Sequence, residues 1–209
     1  MLELNGVRKS YGLNKVLDID NFKLSKGVFW VSGENGSGKS TLMKLIAGIL
    51  DFDGDVILDE RLSLKRNPIK FRRLVNFAEA EPVFPDFVTG RDLIKLFASA
   101  KSATPNQAEY FVGKMNMTDY LSEPIGTYSS GMLKKLSIIL AFLGSPKWVL
   151  LDEPLTTIDS KSLDALYGII RELYVERNVS FILSSHQQIE QSMFPIEKIM
   201  LKGGNLKFQ

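Results

Sequence analysis

The chain has 209 residues, 44% of them hydrophobic, which suits one large domain with a sizeable buried core. Lys and Arg total 26 against 24 Asp and Glu, a net charge of +2, so there is no electrostatic case for nucleic acid. Cys is absent, which excludes a disulfide framework; MLELNGVRKS does not read as a signal peptide, and no apolar run approaches the ~18 residues of a spanning helix.

Residues 1–32 read as short strands. Leu2, Leu4 and Val7 alternate imperfectly, Tyr11-Gly12 marks a turn, and Val16 to Leu24 alternates again. Tyr11 suits either stacking on a purine or packing within its own turn. Lys26-Gly27 then turns into an apolar run, Val28 to Val31. Gly33 to Thr41, GENGSGKST, follows it and fits the phosphate-loop pattern G-x-x-x-x-G-K-[ST]. Polyphosphate is dense negative charge and needs many donors at close range. Gly33, Gly36 and Gly38 let the backbone turn its N–H groups inward, and the helical spacing from Ser40 to Ile49 adds free N–H groups and a positive dipole end. Lys39 supplies a point charge for the β- and γ-phosphates, and Ser40 a hydroxyl for Mg²⁺.

The helix stops near Gly48. Asp53-Gly54 reads as a hairpin signal before a strand at Val56 to Leu58. A short apolar segment ends at Phe77. The loop from Glu79 to Phe87 carries two prolines, two aromatics and three acids, a composition that suits either partner docking or a buried linker. Thr89 to Ala100 reads as a helix with Leu93, Ile94, Leu96 and Phe97 inward. Thr104-Pro105 starts another, continued by Tyr110, Phe111, Met115 and Met117. Residues 86–145 are thus a helical insertion in an α/β pattern. Ser129-Ser130-Gly131 opens the helical run Met132 to Leu143, as a serine cap or as an anion-binding turn.

Trp148 to Leu151 is a buried-strand pattern ending in Asp152-Glu153, where α/β sheets place ligands. Asp152 suits Mg²⁺ and Glu153 suits a general base for an attacking water. Asp159 starts a helix with Leu163, Leu166, Tyr167, Ile170, Leu173 and Tyr174 at helical spacing. Val179 to Leu183 is the next buried strand, ending at Ser184-Ser185-His186, and Ile199 to Phe208 turns at Gly203-Gly204. His186 is the only histidine. Phosphate loop, acid pair and histidine each follow an apolar strand, the constellation of a nucleoside triphosphatase.

In this order the pieces resemble the ATP-binding-cassette (ABC) nucleotide-binding domain over nearly the whole chain. GENGSGKST is similar to its Walker A, YSSGM at Tyr128 to Met132 to its signature, VLLDEP at Val149 to Pro154 to its Walker B, and Leu155 to Asp159 to its D-loop. His186 falls at the switch histidine, Tyr11 at the adenine-stacking position, and Glu79 at the gate position before Pro85. The resemblance implies an α/β fold: a P-loop NTPase core of ABC type, with an N-terminal antiparallel β subdomain and an inserted helical subdomain, in a single domain over 1–209. It implies contacts with ATP at Tyr11, Gly33, Asn35, Gly36, Ser37, Gly38, Lys39, Ser40 and Thr41, and at Ser129, Gly131 and Asp159. It implies Mg²⁺ at Ser40, Asp152 and Glu79, and catalysis by Glu153, His186 and Glu79.

In the family, the signature of one subunit faces the ATP held by another, so two nucleotides are sandwiched in a dimer. A homodimer, or a heterodimer with a second ABC subunit, is therefore expected. The wording of the gate region is most similar to subunits of small exporters, including peptide-antibiotic resistance and immunity systems. The expected function is an ATP-hydrolysing subunit that drives separate transmembrane permease subunits from the cytoplasmic face of the membrane. Two further readings are a soluble ABC ATPase of repair, translation or iron–sulfur assembly, and a regulator that binds nucleotide without turnover. A single cassette, no coiled-coil insertion and no basic tract speak against the first; intact Lys39, Asp152, Glu153 and His186 speak against the second. Three departures from the family pattern stand out: Glu79 for Gln, Ser130 and Met132 for Gly and Gln in the signature, and Leu155 for Thr. An ionised Glu79 repels a γ-phosphate, unlike neutral Gln.

Overall fold

Two sheets arise from two kinds of hydrophobic pattern. In the computed structural model, which describes residues 1–185 and 194–209, the alternating segments build an antiparallel sheet. Its strands are β1 (Leu2–Tyr11), β2 (Asn14–Leu24), β4 (Asp53–Leu58) and β5 (Leu62–Ser63), in the order β2-β1-β4-β5. β1 and β2 are ten and eleven residues long, not short. Lys, Asn and Asp on these strands interrupt the apolar signal, while the pairing runs from Leu2 opposite Leu24 to Tyr11 opposite Asn14 with one register shift between Lys9 and Ser10.

Asp53-Gly54 is not a hairpin turn either; both residues lie inside β4. A side chain on Gly54 would run into the carbonyl of Gly6, and both glycines have positive φ. The β1–β4 register shifts between Asn5 and Arg8 at this close approach. That shift explains why Leu2, Leu4 and Val7, all buried, alternate imperfectly.

The second sheet consists of β3 (Val28–Ser32), β6 (Val75–Ala78), β7 (Trp148–Leu151), β8 (Ser180–Ser184), β9 (Glu197–Lys202) and β10 (Asn205–Phe208), and the continuous apolar runs supply its inner strands. The order is β10-β9-β3-β8-β7-β6, parallel throughout except for β10 against β9. The inner strands β3, β7 and β8 are almost wholly apolar because both faces are covered, whereas β9 and β10 alternate buried and exposed residues. Phe29, Val31, Trp148, Leu150 and Ile182 share a core with helix α1 (Lys39–Ile46) and the antiparallel sheet. Val28, Trp30, Val149, Leu151, Phe181 and Leu183 face the other core.

That second core is closed by α3 (Gly90–Lys101), α4 (Pro105–Lys114) and α5 (Ser130–Phe142), which lie between β6 and β7, and by α6 (Ser160–Arg177). α3 starts at a capping box, Thr89 with Asp92. Phe111, Met115 and Met117 are buried as their spacing implies. Leu96 and Tyr110 are exposed, so α3 and α4 bury narrower stripes than the sequence suggests. A seven-residue helix, α2 (Pro68–Leu74), precedes β6; only Phe71 on it is buried, which leaves little periodicity to read. Among the described residues no helix is long and apolar enough to cross a membrane.

Candidate nucleotide site

Parallel pairing brings four strand ends to one edge of the sheet: the phosphate loop after β3, Glu79 after β6, Asp152-Glu153 after β7 and Ser184-Ser185 after β8. This is the carboxyl edge, where open α/β sheets hold ligands. His186 is next in sequence but lies outside the described residues.

The phosphate loop is set by backbone constraints. Gly38 has φ +102, and a side chain there would lie 2.8 Å from Cγ1 of Val16 on β2. α1 begins directly afterwards, at Lys39. Lys39 is buried, and its Nζ donates to the carbonyls of Gly33 (2.8 Å) and Glu34 (3.0 Å), within the loop itself. Ser37 Oγ is buried with no hydrogen-bond partner among the described residues, while Asn35, Gly36 and Ser40 are exposed and Thr41 is half-buried. Tyr11 ends β1, in the hairpin whose second strand presents Val16 to Gly38. Its ring is 51% exposed, with Lys9 Nζ 5.3 Å from the centroid, so it is not packed away in its turn.

Asp152 is fully buried. Ser184 Oγ donates to its Oδ1 at 2.5 Å, and Oδ2 has no hydrogen-bond partner among the described residues. A buried carboxylate oxygen with spare lone pairs beside a phosphate loop fits a ligand for a hard cation. Glu153 adopts φ +46, left-handed for a non-glycine, and its N–H donates to Ser184 Oγ at 2.9 Å. Below this turn lies Lys134 of α5. Its Nζ donates to the carbonyls of Asp152 (2.8 Å), Glu79 (3.1 Å) and Ala80 (2.6 Å), and burial pulls its ammonium down to about 8. The Glu79 carboxylate pairs with Lys44 of α1. Lys44 thus offsets part of the charge by which Glu79 would repel a γ-phosphate.

The signature residues are held elsewhere. Tyr128 is buried and its hydroxyl donates to the Tyr120 carbonyl at 2.6 Å. Ser129 caps α5, its Oγ accepting from Met132 N at 3.2 Å. A side chain at Gly131 would lie 2.6 Å from the Thr157 carbonyl, so only glycine fits against that loop. Lys135 pairs with Asp159 at 3.4 Å. Among the described residues, Ser129 and Gly131 share no hydrogen bond with the phosphate loop of the same chain.

Asp159 caps α6, accepting from Ser162 N (2.9 Å) and Ser162 Oγ (2.8 Å), and these bonds hold its carboxyl down at about 2. Asp159→Ala is expected to cost about 1 kcal/mol, and so to lower Tm by about 2–4 °C. The depressed carboxyl stabilises the fold above its ordinary value of 3.8, and that contribution is lost as pH falls through about 2. Thermal melts at neutral pH and near pH 3 should therefore show the gap between parent and variant narrowing in acid.

The phosphate loop, Asp152 and Glu153 lie at strand ends, and Ser129 caps a helix, as the sequence implies. Lys44, Lys134 and Ser184 were passed over. Ser184 lies two residues before His186, and that position is the one signal that could have marked it.

Residues 17–156 match the ABC transporter family. The chain is 28% identical over 188 residues to the lantibiotic transport ATP-binding protein SrtF of Streptococcus pyogenes, covering 89% of this chain and 80% of that protein. It is 30% identical over 196 residues to the zinc uptake system ATP-binding protein ZurA of Listeria monocytogenes, covering 89% and 76%. The fold matches the dimeric, ADP- and Pi-bound ATP-binding cassette MJ0796 with a TM-score of 0.83 over 100% of this chain and 98% of that one, at 19% identity. The chain belongs to the ABC transporter family, as an ATP-binding ATPase domain.

Proposed function

We propose that this chain is the nucleotide-binding subunit of an exporter. Two copies close on two ATP molecules, hydrolyse them, and drive separate permease subunits at the inner face of the membrane. Lys39 and the phosphate-loop amides hold the triphosphate, and Tyr11 stacks on the adenine. Asp152 and Ser40 hold Mg²⁺, which when bound supplies positive charge for the transferring phosphoryl oxygens. Glu153 takes the proton of the attacking water, and His186, at the switch position in the sequence, is the second catalytic side chain. Ser129 and Gly131 complete the site of the second copy, consistent with the dimeric state of the MJ0796 cassette. Outward transport is supported by the acid at the gate position, and transport assays in vesicles test it against the uptake direction named for the zinc relative.

The observation that carries permease docking is the loop after Glu79. Val83 and Phe87 are 89% and 84% exposed, beside a cavity of about 100 Å³ lined by Phe77, Glu79, Pro82, Phe84 and Phe97. Large apolar side chains held in water at the mouth of a cleft fit a partner's helix or loop. Burying each contributes about 1.5–3 kcal/mol. In lysates of its native cell, the chain should sediment with membranes. Val83→Asp with Phe87→Asp should release at least roughly nine-tenths of it, with Tm unchanged. A parent chain that stays in the supernatant under these conditions would contradict the docking.

A further inference from the structure

Two side chains outside the motifs grip the two polar ends of a single peptide unit. The carbonyl of Asp152 accepts from Lys134 Nζ at 2.8 Å, and the N–H of Glu153 donates to Ser184 Oγ at 2.9 Å. A peptide is planar, so fixing both ends fixes its rotation. That rotation matters because Glu153 follows it in a left-handed conformation that a non-glycine adopts at a cost. Released, the unit would relax and carry the Glu153 carboxylate with it.

Both grips are complete. Ser184, fully buried, also donates to Asp152 Oδ1. Lys134 is 1% exposed, and its three donors meet three carbonyls, those of Asp152, Glu79 and Ala80. A buried ammonium held by backbone carbonyls alone is a poor choice for filling a core. It suits a tie between three segments: the signature helix, the start of the gate loop and the acid pair.

We propose that Lys134 and Ser184 are positioning residues for hydrolysis, together holding the Asp152–Glu153 peptide so that the Glu153 carboxylate is aimed at the attacking water. Through Lys134 that aim also depends on the segment Glu79-Ala80, where the gate loop begins. The inference rests on the reading of Glu153 as general base.

The test is a double-mutant cycle of Lys134→Met and Ser184→Ala, read as phosphate release, with Lys134→Gln and Glu153→Gln alongside. Each single change should lower kcat roughly 10- to 100-fold, the penalty for misplacing a reacting group by about 1 Å. KM for ATP should stay within about threefold in Lys134→Met, because Lys134 touches backbone carbonyls and not the groups that hold the nucleotide. The double variant should be no more than about threefold below the worse single, since both act on one peptide. Lys134→Gln, which keeps a donor, should recover part of the rate.

Parental kcat per folded molecule in the single variants would overturn the proposal. So would a double variant equal to the product of the singles, or losses that match only the folded fraction lost in thermal melts. If Lys134→Met does not fold, Ser184→Ala and Lys134→Gln decide, and parental rates in both overturn it. Glu153→Gln separates the two levels. Full activity there removes the general base and this inference together, whereas an inactive Glu153→Gln beside fully active positioning variants removes this inference alone.

Discussion

Glu153→Gln is expected to lower the rate of phosphate release by roughly 10²- to 10⁴-fold at saturating ATP, the range that a positioned general base supplies. Gln has the same shape and keeps the backbone that donates to Ser184, so the turn at φ +46 is retained. What is lost is an oxygen able to take a proton. ATP binding should survive, because Lys39, the loop amides and Asp152 are unchanged, and the closed pair of chains should accumulate instead of turning over. Steady-state phosphate release beside equilibrium nucleotide titration separates the two effects. Hydrolysis at the parental rate would rule out Glu153 as the base.

Lys39→Met is expected to weaken ATP binding roughly 10- to 100-fold and to abolish measurable turnover. The ammonium is buried at the foot of the loop, where a charge-assisted hydrogen bond contributes about 1.5–3 kcal/mol, and each 1.4 kcal/mol is a factor of ten in affinity. Met preserves the stem and its packing, so the loss should appear in a fluorescent-nucleotide titration with little change in melting temperature. An affinity within about twofold of the parent would place the triphosphate elsewhere.

What the sequence made legible was what local backbone chemistry demands. Gly38 must be glycine because its φ is +102 and Val16 leaves no room, and Ser129, Thr89 and Asp159 mark helix starts because they cap them. The inner parallel strands β3, β7 and β8 were legible because burial on both faces makes them almost wholly apolar. The long β1–β2 ladder was misjudged because half its residues face water, and Asp53-Gly54 mimics a turn while answering a backbone contact with Gly6.

Lys44, Lys134 and Ser184 were hidden for a different reason. Their partners lie 35, 18 to 55, and 31 to 32 residues away, and only the sheet order brings them together. A lysine or a serine in sequence says nothing about which distant carbonyl it will meet. The same limit applies to Glu79. Its position after β6 was legible, but its pairing with Lys44 on the phosphate-loop helix was not. The pairing bears on how an acid is tolerated at the gate.

Each ATP site is taken to be made by two copies, and mixing two disabled chains examines that directly. Lys39→Met removes the phosphate-loop half of a site, and Ser129→Arg blocks the half that Ser129 offers to the partner. Each variant alone should show no turnover above background. Mixed in equal amounts, half the dimers pair unlike chains, and each such dimer holds one intact site of two, so roughly a quarter of the parental rate per chain should return. A mixture no more active than either variant alone would contradict the shared site.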